Sequence, residues 1–474
     1  MKLACVILAA GLGKRMKSSL PKVLHTLCGR PMLRHVLDNA GRLRPEKRIV
    51  VVGKYHEEIS RSASGPAISF VVQEKPKGTG DALMKAGEAL GRFRGTVLVL
   101  NGDTPLIAPE TLRRFLSLFS KNGDALSVLS FTTRHPEGYG RIVRDDSGKP
   151  RRIIEEKAAT AEQKMIMEVN GGIYAVDSKI MPLLARIRRN PASGEYYLTD
   201  LFEIAMREKL RAGVYCICGE DEMMGVNTRH ELLRAERIMQ TRIVNGLIRK
   251  GVTFIDPSSA HIGADVSIGA DAVIYPNVCL EGATRIGRQC TVYPNVRIVG
   301  STIGDGATIK DCSVIEHSAV KRNAQIGPFA HLRPGTIVGA RAKIGNFVEV
   351  KKSVIGEGTK ASHLSYLGDA VVGRNVNIGA GTITCNYDGA QKHRTEIDDG
   401  VFIGSDTQLV APVKIGKGAY IGAGSTVTKD VPPMSLAVSR TPQKNILKWA
   451  QRKQHNENRR HSKKTFRRRP RTGD

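Results

Sequence analysis

Between residues 252 and 427 an isoleucine, valine or leucine recurs every sixth residue, often with glycine after it. One run is Ile262, Ile268, Ile274, Leu280, Ile286, Val292; another is Leu332, Val338, Ile344, Val350; a third is Ile397, Ile403, Leu409, Ile415, Ile421, Val427. A period of six is neither the helix period nor the strand period, and an ordinary β-sandwich would show alternation with irregular spacing. The spacing predicts a left-handed parallel β-helix of hexapeptide repeats, in which each hexapeptide makes a short strand and a tight turn and three make a coil. The aliphatic side chain points into the prism, and glycine relieves crowding where the chain turns. Coils bury each other's open edges, so the array is stable only as a stack. The phase slips near 298–303 and 315–320 and breaks at 362–367 and 384–397. Interruptions of a solenoid read as loops on one face, often binding loops.

A chain of 474 residues implies more than one domain. Its eight cysteines are scattered, and only Cys216 and Cys218 lie close together. That usage predicts reduced, packed thiols in a cytoplasmic protein. No stretch has the apolar length of a membrane span, and the first residues lead into a strand rather than a signal peptide. The formal charge is +28, and much of it follows Lys444. This tail lacks apolar periodicity and is expected to be largely disordered. From Gln451 onward it has one aromatic, Phe466, and no folded recognition motif, which predicts non-specific electrostatic contact and no specific nucleic-acid partner.

The chain opens on an aliphatic strand that runs into Leu8-Ala9-Ala10-Gly11-Leu12-Gly13-Lys14-Arg15-Met16. Small residues and glycines let a backbone approach a ligand and free N–H groups cradle phosphate; the same pattern marks a tight strand-to-helix turn. It lacks the Gly-Lys-Ser/Thr of a Walker loop and the third glycine of the dinucleotide fingerprint. Strands are predicted at 49–52, 68–72 and 96–100, alternating with helices at about 32–43 and 82–90, which makes an α/β sheet domain. The fourth strand ends in Asn101-Gly102-Asp103. An acid just past the carboxyl end of a parallel strand is placed for metal and ligand, although an ordinary turn aspartate looks the same. The expected division is 1–228 for this domain, 229–250 for a linker helix, 251–445 for the prism and 446–474 for the tail.

These motifs, with Pro21-Lys22, Gln73 ahead of Gly78-Thr79, Tyr139-Gly140-Arg141 and Asn170-Gly171-Gly172-Ile173-Tyr174, resemble the sugar-nucleotide pyrophosphorylase (nucleotidyltransferase) superfamily. Joined to a hexapeptide prism, the chain resembles the bifunctional bacterial family that fuses N-acetylglucosamine-1-phosphate uridyltransferase to glucosamine-1-phosphate N-acetyltransferase. The resemblance covers roughly residues 3–445. It implies a Rossmann-like mixed sheet ahead of the β-helix. It implies that Leu8, Ala9, Ala10, Gly11, Gln73, Gly78 and Thr79 bind UTP, that Arg15 and Lys22 clamp phosphate, and that Asp103 and Asn227 hold Mg²⁺. Gly140, Glu155 and Asn170 match the N-acetylglucosamine 1-phosphate contacts. The family often has Gly-Thr-Ala-His where this chain has Gly78-Thr79-Gly80-Asp81, a departure that bears on base packing and nucleotide stringency.

In the prism, polar residues concentrate late. His363 lies in an interruption, and stacking is expected to gather Arg333, Lys351, Tyr366 and Asn377 around it, a set that suits a sugar phosphate. Imidazole titrates near neutrality and suits a general base, whereas a histidine on a loop is as often structural. By resemblance, His363 takes the proton from the amine of glucosamine 1-phosphate, and Asn386 and Tyr387 contact sugar and acetyl group. By the same resemblance, Ala380, Ser405, Ala423 and Arg440 bind acetyl-CoA, and the chain forms a homotrimer.

Overall fold

The computed structural model describes residues 2–11, 13–191 and 193–466, with backbone alone for the last six. The chain divides into two compact units, Met1–Arg341 and Ala342–Asp474. The division falls inside the hexapeptide array.

The first unit begins with an α/β sheet. Its strands are β1 (Leu3–Ala9), a small hairpin β2 (Thr26–Leu27) and β3 (Arg30–Pro31), then β4 (Lys47–Val52), β5 (Ile68–Val72), β6 (Thr96–Asn101), β7 (Leu126–Thr132), β8 (Arg141–Arg144), β9 (Pro150–Ile154), β10 (Glu168–Asp177) and β11 (Ala212–Cys216). The helices are α1 (Met32–Gly41), α2 (His56–Ala63), α3 (Thr79–Leu90), α4 (Pro109–Asn122), the short α5 (Ala161–Lys164), α6 (Asp200–Arg207), the short α7 (Glu220–Met223) and α8 (Arg229–Ile248). The main sheet runs β11-β7-β10-β6-β1-β4-β5, parallel except for β10, which is antiparallel to both neighbours. The expectation of a Rossmann-like mixed sheet holds.

Alternation along β1 builds two cores. Cys5, Ile7 and Ala9 join Leu33, Val36 and Leu37 of α1 and Phe115 and Phe119 of α4 on one face. Ala4 and Val6 join Leu83, Ala86 and Leu90 of α3 and Leu201 and Phe202 of α6 on the other. A sheet covered on both faces has its ligand edge at the carboxyl ends of the parallel strands, where loops can converge.

Helix α8 starts at a reciprocal capping box between Thr228 and Glu231. It fastens the sheet domain to the first coils. Glu236 accepts from Cys28 N at 2.8 Å, and Gln240 exchanges two hydrogen bonds with the Ile262 backbone at 3.0 Å each. Arg30 pairs with Asp265, and Ala264 N donates to Cys28 O at 2.8 Å.

The coils of the first unit make three parallel ladders. Val273–Ile274, Thr291–Val292 and Thr308–Ile309 follow one another on one face; Cys279–Glu281, Arg297–Val299 and Val314–Glu316 on the second; Arg285–Ile286, Thr302–Ile303 and Ala319–Val320 on the third. Ile262, Leu280, Ile298 and Ile315 stack in register, all fully buried. Each such side chain contributes about 1.5–3 kcal/mol by leaving water. Coil-to-coil hydrogen bonds span 18 residues early (Asn277 N to Ser259 Oγ) and 17 later (Ser318 N to Ser301 Oγ). The phase slips are therefore coils one residue shorter. The glycines after the aliphatics answer to crowding: a Cβ on Gly269 would lie 2.7 Å from Arg288 N of the next coil. Several left-handed corners are instead asparagine or aspartate, among them Asp271, Asn277, Asn295 and Asn323.

The second unit continues the pattern. Lys343–Asn346, Lys360–His363, Asn377–Ile378, Phe402–Ile403 and Tyr420–Ile421 form one ladder; Glu349–Lys351, Tyr366–Gly368, Ile383–Cys385 and Gln408–Val410 the second; Val354–Ile355, Ala370–Val372, Thr395–Ile397 and Val413–Ile415 the third. The break expected at 362–367 is not a loop. Strands run into and out of it, and the coil is again 17 residues (Ala370 N to Ser353 Oγ), with exposed Leu364 taking a left-handed corner. The second break is a loop, and its coil spans 25 residues (Arg374 N to Asp399).

The tail departs from its expectation. α9 (Trp449–Phe466) is helical, and residues 449–460 are exposed. Its alanine, glutamine, lysine and arginine favour helix without any apolar face to bury. Residues 467–474 lie outside the described residues.

Candidate active sites

At the carboxyl edge of the α/β sheet lies a cleft of about 400 Å³. Eleven sequence-predicted residues line it: Leu8, Ala9, Ala10, Gly11, Lys22, Gln73, Gly78, Thr79, Asp103, Glu155 and Asn170. Arg15, Gly140 and Asn227 are not among its lining residues. Arg15 is exposed on the turn Lys14–Met16, and Gly140 supports the site by accepting Asn170 N at 2.8 Å.

Asp103 follows β6, and its carbonyl accepts from Val226 N at 2.9 Å, which brings the segment before α8 alongside. The α8 cap fixes the next residue, since Asn227 N donates to Glu231 Oε2 at 2.6 Å. Lys22 Nζ then bonds both the Asp103 carboxylate and Asn227 Oδ1, the latter at 2.9 Å. Two oxygens distant in sequence thus converge on one cation position, which the ammonium fills. Among the described residues no group of three or more His, Cys, Asp or Glu is gathered to hold a metal. One carboxylate and one amide oxygen fit Mg²⁺, which takes few protein ligands and completes its shell with water and phosphate.

The loop ahead of α3 is clamped by the far wall. Gly80 N donates to Tyr196 O at 2.9 Å, Tyr196 N to Lys77 O at 2.7 Å, and Leu198 N to Thr79 Oγ1 at 3.0 Å. Gly78 has φ 101°, and a Cβ there would meet the Tyr196 backbone, so no other residue fits. Gln73 is buried; its Nε2 donates to Gly78 O at 3.2 Å and to Asp81 Oδ2 at 2.6 Å. Across the cleft Glu155 accepts from Thr199 Oγ1 at 2.8 Å, and Asn170 Nδ2 donates to the Tyr174 hydroxyl at 2.8 Å. Burial holds the Glu155 carboxyl above the usual range, against the Thr199 hydrogen bond. Burial likewise raises the Tyr174 phenol, so it stays a neutral hydrogen-bonding group. Thr199 was missed by sequence reasoning, since it sits in no recognisable motif; Asp81 and Tyr174 lie in motifs the sequence analysis quoted, but their contacts with Gln73 and Asn170 were not foreseen.

On the second unit the sequence-predicted residues lie along a wall of the coils rather than in a cleft. His363 ends its strand, exposed, with Nδ1 2.7 Å from Asn346 Oδ1 on the preceding coil. An amide oxygen only accepts, so this contact favours the neutral tautomer with the proton on Nδ1. Asn346 was also missed, because a 17-residue offset becomes adjacency only once the coil length is known. Around the corner Lys351 stands in register with Gly368. A Cβ on Gly368 would meet the Tyr366 hydroxyl and lie 2.8 Å from Asn386 Nδ2, so that glycine keeps these groups together. Asn386 Nδ2 also donates to Asp369 Oδ2 at 2.6 Å. Asn377 opens the next strand on the face of His363, in register with Lys360. Arg333 lies in the first unit, in the turn after His331–Leu332, where its carbonyl accepts from Ser318 Oγ at 3.0 Å.

The loop of the second break braces itself. Asp388 accepts from Ala390 N, Gln391 N and His393 Nε2 at 2.8, 2.7 and 2.6 Å, and these donors, the Gln391 backbone first and His393 next, hold its carboxyl well below the usual range. Tyr387 is left 60% exposed at its edge. Ala380, Ser405, Ala423 and Arg440 make one column. Ala380 O accepts from Asp406 N at 2.7 Å, Ser405 O from Gly424 N at 2.8 Å, and Ala423 O from Arg440 Nη1 at 2.6 Å.

Comparison with known proteins places these sites in context. Residues 5–192 match the MobA-like NTP transferase domain, 249–340 the GMPPB C-terminal domain, and 394–429 the bacterial transferase hexapeptide family. The bifunctional protein GlmU of Thermodesulfovibrio yellowstonii is 52% identical over 448 residues, 94% of this chain and 99% of that protein. The GlmU proteins of Trichlorobacter lovleyi and Thermoanaerobacter pseudethanolicus are 47% and 48% identical, over 96% and 95% of this chain and 99% and 98% of theirs. A nucleotidyltransferase sheet, a hexapeptide prism and this likeness along nearly the whole length establish that the chain belongs to the family of bifunctional GlmU proteins.

Proposed function

We propose that the chain acetylates glucosamine 1-phosphate from acetyl-CoA on the prism and then transfers a uridyl group from UTP to the N-acetylglucosamine 1-phosphate formed, releasing pyrophosphate in the α/β cleft. The observation that carries this reading is the convergence of Lys22, Asp103 and Asn227 at the sheet edge, opposite Glu155 and Asn170.

In the cleft the sugar phosphate is itself the nucleophile. One of its oxygens attacks the α-phosphorus in line, and the bond to pyrophosphate breaks. The protein supplies positioning and charge. The backbone of Leu8, Ala9, Ala10 and Gly11 and the side chain of Gln73 hold the nucleotide. Glu155 and Asn170 face the sugar. Lys22 exchanges its carboxylate for phosphate oxygens, and Arg15 closes on the phosphates from its exposed turn. Asp103 and Asn227 would hold Mg²⁺, which supplies charge neutralisation between the two phosphate groups.

On the prism the amine of glucosamine 1-phosphate attacks the thioester carbonyl, the C–S bond breaks, and His363 Nε2 accepts the amine proton. Asn346 favours the tautomer that leaves Nε2 basic. Lys351, Tyr366 and Asn377 hold the sugar phosphate, a role that the family resemblance also gives to Arg333. Asn386 and Tyr387 border the acetyl group, and the column of Ala380, Ser405, Ala423 and Arg440 seats the coenzyme. A wall becomes a site when a second wall meets it. Exposed Phe347, Leu364, Phe402 and Tyr420, with the last two rings stacked at 5.4 Å, suit burial against further copies in a closed homotrimer. No helix among the described residues is long and apolar enough to cross a membrane; the cytoplasm is proposed as the site of both reactions from the scattered, unpaired cysteines.

The test is an end-point assay on the purified chain with glucosamine 1-phosphate, acetyl-CoA, UTP and Mg²⁺, each then omitted in turn. UDP-N-acetylglucosamine should form only with all four present. Acetylation that proceeds without any uridyl transfer would overturn the cleft assignment.

A further inference from the structure

We propose that Asp81 is a positioning residue that sets pyrimidine selectivity by locking the amide of Gln73; the inference rests on the assignment of the cleft to UTP. A primary amide is symmetric in shape and can present either oxygen or NH₂ to a ligand. The neighbours of Gln73 remove the choice. Gly78 O and the Asp81 carboxylate both only accept, at 3.2 and 2.6 Å. Both Nε2 hydrogens are thus engaged, and turning the amide would set Oε1 against two acceptors. The residue lines the cleft while buried to 4% exposure, so the group it offers a base is the carbonyl oxygen.

A fixed acceptor matches N3–H of uracil. It opposes cytosine, which has an unprotonated N3 at that place. Thymine shares N3–H with uracil and is not separated by this group. The carboxylate is held in turn: Asp81 lies in the first turn of α3, and the loop before it is clamped to Tyr196 and Leu198. A first-turn acid also stabilises a helix in its own right, so the test must separate orientation from support.

The experiment measures uridyltransferase kcat/KM of the full-length protein for UTP, CTP and dTTP, with acetyl transfer by the same preparation as the check on folding. Asp81→Leu should lower the UTP-over-CTP ratio about tenfold, since a hydrogen bond to a carboxylate no longer opposes the turned amide while Gly78 O still does. The UTP-over-dTTP ratio should stay unchanged. Asp81→Asn, whose own carbonyl can take the bond, should restore most of the selectivity, and Asp81→Ala, which also removes the acceptor, takes the place of the leucine variant if that one does not fold. An unaltered UTP-over-CTP ratio in Asp81→Leu, or equal losses against CTP and dTTP, overturns the proposal. A wild-type chain that acetylates but transfers no uridyl group overturns the cleft assignment, and this proposal with it.

Discussion

The two sites differ in how many walls a single unit provides. In the α/β cleft, Gln73 and Lys22 are enclosed between the β1 loop and the segment 195–199, and each has protein partners before any ligand arrives. On the second unit His363 and Tyr387 stand exposed on the outside of the coils. An open twisted sheet makes a crevice where its loops diverge, whereas the hollow of about 260 Å³ on the second unit, lined by residues between Thr426 and Ser439, holds neither His363 nor Tyr387. The proposed cleft site is therefore enclosed within one unit, and the proposed prism site calls for whatever is set beside it.

That comparison can be broken most sharply at the base. His363→Ala should cut acetyl-transfer kcat by about 10²- to 10⁴-fold with uridyl transfer intact. Steady-state kinetics across pH 6 to 9 would show it. A folded variant keeping over about a tenth of wild-type kcat at pH 7 would leave His363 a structural role only. Asp103→Asn should act in the opposite sense, with uridyl transfer down about 10²- to 10³-fold over a full Mg²⁺ titration and acetyl transfer unchanged. Next comes the missing wall. Phe402→Glu with Tyr420→Glu should lower the oligomer mass in solution and reduce acetyl transfer about tenfold or more, while uridyl transfer stays near wild type. Equal loss of both activities would mean that the prism face serves the fold rather than one site.

The smallest effect concerns the cost of enclosure. Glu155 is held above the ordinary carboxylate range chiefly by burial, so its ionised form is disfavoured in the fold. The sign follows: the destabilisation is absent below the unfolded pKa of about 4.3 and grows as pH rises through the folded value. Glu155→Gln should thus raise the melting temperature of the ligand-free protein by about 1 to 2 °C at pH 7 and by nothing at pH 3.5. A rise of the same size at both pH values would trace it to packing instead.

Much of this was legible in the residues. Each inward aliphatic reports its own position every six residues, so the prism could be read without knowing its coils. The glycine loop, Gln73 and Asp103 lie in local motifs and line the cleft, whereas His363, expected in a loop, ends a strand. Partners set by coil length or by a distant wall were not legible. Asn346 reaches His363 only because one coil is 17 residues, and Asp81 reaches Gln73 only because Tyr196 and Leu198 fold the loop between them. The break at 362–367 misled, because a single lost residue and an inserted loop look alike in phase. The tail misled in another way: absence of an apolar stripe excludes burial, not helix.

The glycines at the prism corners carry a consequence for how such a chain can drift. At Gly379 and Gly404 a Cβ would sit 2.5 Å from the backbone nitrogens of Ser405 and Ala423, so even alanine is barred there by the next coil's main chain. At Gly400 and Gly424 nothing lies within 4 Å, and only a left-handed φ of about 70° stands against a side chain. Asparagine already occupies that conformation at Asn375. Inheritance in the prism therefore runs on two tracks. One set of glycines is frozen by its neighbours, while the other can be exchanged for a polar residue that reshapes the outer wall without disturbing the stack.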